Sequence, residues 1–130
     1  MKVLVDTCVW SKALRYKASD KDITNKLNEL ITNGNLVIIG PIRQELLSGI
    51  SETAQFNKLK ERLSPFEDIP LKSEHFLKAA EFCNICRKKG IQGSSIDFLI
   101  CAVASLDKFV VFTTDKDFEH YAEYLPIKLL

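Results

Sequence analysis

Three short runs, Lys2–Val5, Leu36–Ile39 and Phe109–Thr113, do most to restrict what this chain can fold into. Each is rich in Val, Ile or Phe on consecutive positions rather than alternating ones. That is the pattern of strands covered on both faces, as in parallel sheets. The segments between them read as helices, which parallel strands need as crossovers. Cys8–Arg15 is a short helix with Trp10, Ala13 and Leu14 on one side. Asp20 or Asp22 is expected to cap a helix carrying Ile23, Leu27, Leu30 and Ile31, which Asn33-Gly34 ends. Gly40-Pro41 opens the next helix, with proline suited to a first turn, and Gly49 closes it. Ser51–Leu63 and Lys72–Lys89 follow. The second of these carries Phe76, Ala79, Ala80 and Cys83 in line with Cys86 or Arg87. Phe66–Pro70 between them reads as a weak strand. Ser95–Asp107 is the most apolar helix and so the central one. Lys116–Tyr124 is a further helical segment, and Ile127–Leu129 a last strand. The expectation is a single α/β domain over residues 1–130, three-layered, with a short, mostly parallel central sheet flanked by helices.

The totals exclude some function classes and leave others open. The chain of 130 residues can bury a real core. Its 18 Lys plus Arg against 17 Asp plus Glu give a net charge of +1, which neither demands nor excludes a nucleic-acid partner. The longest apolar run, Phe98–Ala104, is far short of the roughly 18 residues of a membrane helix. An acid follows at Asp6 with no signal-peptide pattern before it, so a cytoplasmic location is expected, with Cys8, Cys83, Cys86 and Cys101 reduced. Cys83-x-x-Cys86 lacks the second ligand pair of a structural zinc site and reads as core packing.

The acids fall at particular places. Asp6 ends the first strand, and Asp115 lies just past the Phe109 strand, with Asp117 close behind. Glu45 sits within two turns of the start of the helix after the second strand. Asp97 opens the apolar helix. Open parallel sheets bind ligands beyond the carboxyl ends of their strands, so four acids from four segments are placed to converge there. Structural roles are also open: Ser94-x-x-Asp97 and Thr114-x-x-Asp117 both match a capping box, Asp6 suits a solvated strand end or a helix N-terminus, and Glu45 reads as an exposed helix residue near the buried side. Capping alone does not require all of them at one sheet edge. Clustered carboxylates repel, and a hard divalent cation such as Mg²⁺ or Mn²⁺ relieves the repulsion.

VDTCVW, the acid in PIRQELLSG, SSIDFLICAVA and FVVFTTDKDF, taken in that order, resemble a PIN-domain protein, and more narrowly a VapC-type toxin of a toxin–antitoxin pair. The resemblance covers nearly the whole chain. It implies an endoribonuclease dependent on Mg²⁺ or Mn²⁺, with Asp6, Glu45, Asp97 and Asp115 as catalytic and metal-holding residues. Thr113 then orders the loop, and Asp117 is auxiliary. Water attack on an RNA phosphodiester would leave a 5′-phosphate and a 3′-hydroxyl. One departure is Cys8, where family members commonly carry Asn or Ser. The resemblance further implies a cognate VapB-type antitoxin and a homodimer. Leu27, Leu30, Ile31, Ile42, Leu46, Leu47 and Phe56 exceed what the core can cover, so part of this set is expected to form a partner surface. Lys12, Arg15 and Lys17, interleaved with Trp10 and Tyr16, are candidate RNA contacts. Arg87-Lys88-Lys89 reads as a cationic helix end.

Two other readings stay open: a PIN nuclease of RNA processing without an antitoxin, and a non-catalytic PIN-fold binding module. A signalling receiver, also a small α/β domain, needs two adjacent acids after its first strand, and Asp6 stands alone before Thr7.

Overall fold

The computed structural model describes all of residues 1–130. Four short strands form one wholly parallel sheet in the order β2-β1-β3-β4: β1 (Val3–Val5), β2 (Leu36–Val37), β3 (Val110–Phe112) and β4 (Lys128–Leu129). β1 pairs Val3 with Val110, Leu4 with Val111 and Val5 with Phe112. Its three residues are fully buried, as continuous apolar strands covered on both faces should be. The weak strand expected at Phe66–Pro70 is reduced to one parallel bridge, Asp68 with Ile38. Proline at 65 and 70 leaves little room for a longer ladder.

Seven helices join the strands. α1 (Thr7–Leu14) and α2 (Lys21–Thr32) link β1 to β2 and pack on each other, with a 3₁₀ turn at Ala18–Asp20 between them. Asp20 takes the N-cap position of α2, but its side chain makes no capping bond. α3 (Gly40–Ser48), α4 (Thr53–Leu63), α5 (Ser73–Lys88) and α6 (Ser95–Asp107) link β2 to β3, and α7 (Asp117–Tyr124) links β3 to β4. Right-handed crossovers set the helices after β1 and those after β3 on opposite faces, which gives three layers.

α6 is the central helix. Phe98 to Ala104 are all buried, and the helix runs from an N-cap at Ser94 to a left-handed C-cap at Lys108, φ 60°. It packs along α5, whose inward residues are His75, Phe82 and Cys86. This corrects part of the expected stripe: Phe76 is 53% exposed and Ala80 is exposed with it, while Ala79 and Cys83 are half-buried against the core. His75 is held at both ring nitrogens. Its Nδ1 accepts from the backbone N–H of Lys72 at 2.9 Å, and its Nε2 meets Asp107 Oδ1 at 3.1 Å. Of the apolar residues on the early helices, Ile31, Leu47 and Phe56 stay partly exposed. Leu27, Leu30, Ile42 and Leu46 belong to the core, and the large exposed apolar side chains include Phe76, Leu77 and Ile85 of α5. No helix is long and apolar enough to cross a membrane.

Candidate active site: an acid cleft at the switch point of the sheet

The chain leaves β1 for one face and β3 for the other. These two neighbouring strands therefore define the switch point of the sheet, where such folds bind ligands. Continuing their register sets Asp6 beside Thr113, and Asp6 N–H donates to the Phe112 carbonyl at 2.9 Å. Asp6 is also the N-cap of α1. Its Oδ1 accepts from the N–H of Thr7 at 2.7 Å, and its Oδ2 accepts from the Thr113 hydroxyl at 2.9 Å. The same hydroxyl oxygen accepts the N–H of Asp115 at 3.0 Å. One threonine therefore ties the first acid to the loop that carries the fourth.

Cys8 joins this network. Its thiol lies 3.6 Å from Asp6 Oδ2 and accepts the N–H of Thr114 at 3.4 Å. A thiol thus makes the contacts available to a small polar residue at that position.

The remaining acids are set by their helices. Asp97 stands in the first turn of α6. Its N–H donates to Ser94 Oγ at 3.1 Å, one half of the expected capping box. Its carboxylate does not complete the box, because Asp97 Oδ2 accepts the Tyr121 hydroxyl of α7 at 2.8 Å. The second expected box, Thr114 with Asp117, does not form. Asp115 Oδ1 takes the N–H of Asp117 at 2.9 Å instead, starting α7 from an Asx turn. Asp117 itself is exposed and lies outside the cleft lining. Glu45 is exposed on the second turn of α3, which Pro41 begins.

Asp6, Glu45, Asp97 and Asp115 line one cleft of about 310 Å³ together with Thr7, Cys8, Ser94 and Ile96. No Lys or Arg lines it, and none of the four acids takes part in the chain's ion pairs, Lys26–Glu29, Arg43–Asp68, His75–Asp107 and Lys78–Glu81. Asp6 is 7% exposed. Burial pushes its carboxyl above the usual range and the Asp97 charge adds to this, while hydrogen bonds from Thr113, Thr7 and Cys8 pull it back. Burial, then the Asp97 contact, holds the Tyr121 phenol well above its ordinary value, so it acts as a donor.

No three His, Cys, Asp or Glu side chains stand close enough together to grip one ion directly. The donor set nonetheless fits a hard divalent cation. Mg²⁺ commonly takes one or two carboxylates and keeps several waters, and this cleft offers carboxylate oxygens and no soft or cationic group except the Cys8 thiol. The buried Thr7 hydroxyl, also on the cleft wall, has no hydrogen-bond partner.

Lys12, Arg15 and Lys17 are not brought to the cleft. α1 starts at the cleft and runs about 12 Å, so Arg15 and Lys17 lie at or beyond its far end. There Trp10, Leu14, Tyr16, Leu27, Ile31 and Arg62 line a separate groove of about 200 Å³. The Arg62 guanidinium lies 5.8 Å from the Tyr16 ring, and the buried Trp10 Nε1 has no acceptor. Sequence reasoning missed Tyr121. Its spacing, three after Phe118, reads as ordinary core, and no motif signals a bond to a residue of another helix.

Fold and site together define a small parallel α/β domain with a carboxylate-lined cleft at its switch point. The chain belongs to the PIN domain family, whose model matches residues 3–124. No curated protein matches the sequence. Among solved structures it is similar to FitAcB from Neisseria gonorrhoeae, at 22% identity and TM-score 0.81, covering 98% of this chain and 96% of that one. It is similar to VapBC2 from Rickettsia felis bound to a DNA fragment from their promoter, at 22% identity and TM-score 0.80, covering 100% and 98%. A toxin–antitoxin complex from Klebsiella pneumoniae aligns at 16% identity and TM-score 0.69, covering 90% of each chain.

Proposed function

We propose that this chain is a metal-dependent endoribonuclease, the VapC-type toxin of a toxin–antitoxin pair acting in the cytosol. The observation that carries the reading is the acid cleft: four carboxylates from four elements, with no cationic side chain among them. Like charges brought together disfavour one another's ionised forms, and a counter-charge relieves this. Asp6, Asp97 and Asp115 would hold Mg²⁺ or Mn²⁺, directly or through water, with Asp117 auxiliary. A divalent ion, when bound, offsets the carboxylate repulsion, acidifies water and neutralises charge developing on a phosphate. Thr113 keeps Asp6 and Asp115 at a fixed separation. Glu45, unpaired on the rim, orients the attacking water or helps hold the ion. In-line attack leaves a 5′-phosphate and a 3′-hydroxyl. Lys12, Arg15 and Lys17 would meet only RNA that extends a helix length beyond the cleft.

The test is incubation of purified protein with total cellular RNA and Mn²⁺ or Mg²⁺, with and without EDTA. Discrete fragments that disappear with EDTA are expected. Intact RNA after treatment with folded, metal-supplied protein, freed of any copurifying partner, would sink the reading.

Two surfaces support the partners in this reading. The groove at the far end of α1, apolar with Arg62 at its edge and an unpaired indole N–H, suits an acidic amphipathic segment of a VapB-type antitoxin. A second groove of about 380 Å³, formed by α5 with Pro41, Ile96 and Leu99, lies beside Phe76 and suits another copy of the chain. Light scattering is expected to give a dimer mass for the parent and a monomer mass for Phe76→Glu. Equal masses for the two would remove the α5 face as the dimer contact.

A further inference from the structure

Tyr121 is wholly buried, yet its hydroxyl reaches out of α7 to Oδ2 of Asp97 on α6, 2.8 Å away. α7 itself grows out of the Asp115 turn. The N–H of Asp117 donates to Asp115 Oδ1 at 2.9 Å, and the N–H of Phe118 to the Asp115 carbonyl at 3.2 Å. One helix of 8 residues therefore touches Asp115 with its first turn and Asp97 with its second.

The phenol has little freedom. The Phe98 and Phe118 ring centroids each lie 5.1 Å from that of Tyr121. On another side is Gly93, the residue before the N-cap of α6. A Cβ there would overlap the Tyr121 hydroxyl and come within 2.8 Å of its Cζ and 3.1 Å of Phe98. Glycine at 93 is thus a matter of space for the phenol, since its backbone is not left-handed.

A free carboxylate turns broadly about its last torsion. A fixed donor on one oxygen decides where the other points. We propose that Tyr121 is a positioning residue: with Gly93 giving it room, it locks the Asp97 carboxylate so that Oδ1 faces the cleft in register with Asp115. This rests on the cation-binding reading of the cleft. Groups that orient a metal ligand from behind commonly change metal affinity about 10–100-fold.

The experiment is Mn²⁺ titration calorimetry on the parent, Tyr121→Phe and Gly93→Ala, with circular dichroism as the check on folding. Tyr121→Phe is expected to raise the Mn²⁺ dissociation constant about 10-fold or more with an unchanged spectrum. Gly93→Ala, which keeps the hydroxyl but pushes it aside, is expected to move it the same way. In parent protein carrying ¹³C at tyrosine Cζ, the Tyr121 resonance is expected to shift with Mg²⁺, and those of Tyr16 and Tyr124 to stay still. A folded Tyr121→Phe protein binding Mn²⁺ within about twofold of the parent overturns the proposal, well inside the 10-fold scale. Should that variant fail to fold, a Tyr121 resonance indifferent to Mg²⁺ in a parent that binds it overturns it equally. A parent that binds no Mn²⁺ brings down the cation reading itself, a failure visible before any variant is made.

Discussion

Asp6→Asn is expected to lose RNA cleavage by at least about 10²-fold, the scale on which a single preorganised electrostatic group acts, and to melt at a higher temperature than the parent in EDTA at neutral pH. The two effects have one cause. Asp6 is held nearly out of water, and burial lifts its carboxyl above the usual 3.8. Its ionisation is therefore harder in the folded state than in the unfolded chain. As pH rises through the carboxylate range the unfolded chain gives up this proton first, and the Asp6 contribution to stability falls until the folded group has also ionised. Asn keeps an oxygen for the N–H of Thr7 and caps a helix about as well as Asp, without the buried charge. The melting difference between variant and parent should be near zero at acid pH, below the carboxylate range. It should open as pH rises and be complete by neutrality. Cleavage of total RNA and melting curves across pH read both halves. A variant that cuts like the parent removes Asp6 from the chemistry, and one that melts lower at neutral pH contradicts the burial account.

The second large effect concerns the scaffold. Ile100 is fully buried in the middle of the apolar run of α6. Ile100→Ala should cost about 2–5 kcal/mol, the transfer free energy of the lost carbons plus the cavity left in a close-packed core. Leu77 on the outer face of α5 is 67% exposed, and Leu77→Ala should stay within about 0.5 kcal/mol. Urea denaturation with unchanged slopes would check both. Comparable losses at the two positions would mean that the layer assignment of α5 and α6 is wrong.

Most of the element order was legible because the local signals agree with the global fold. The limits of α6 are those of the sequence reading, Ser95 to Asp107: a serine cap, a continuous apolar run and a polar end coincide there. The positions of Asp6, Asp97 and Asp115 at element ends were legible for the same reason, since strand ends and helix starts are what apolar runs delimit best, and Glu45 follows by counting from the start of α3. Side-chain direction was not. On α5, Phe76, Ala80 and Cys83 form one apolar row and Ala79, Phe82 and Cys86 another, so periodicity alone cannot say which row faces the chain's own core. The structure buries His75, Phe82 and Cys86, and the His75 bonds to Lys72 and Asp107 that go with this orientation are not visible in spacing. On the early helices the core covers Leu27, Leu30, Ile42 and Leu46, while Ile31, Leu47 and Phe56 stay partly exposed, a division that a count of apolar residues cannot make. Asp117 looked like the partner of Thr114 in a cap, and Asp115 like an acid of the cleft. The structure divides them: Asp115 starts the helix and faces the cleft, and Asp117 supplies an amide.

The hydrogen bond from Thr113 to Asp6 spans 107 positions of sequence. During synthesis at about 5–20 residues per second, roughly 5 to 20 s separate the appearance of the two residues. The first strand must wait that long for the neighbour beside which its acid will work. A nascent chain carries Asp6 and Glu45 early, but it has no assembled cleft until β3 and α7 have emerged and docked. The order of the strands thus acts as a timer, keeping the carboxylates apart until nearly all of the chain described here has been made.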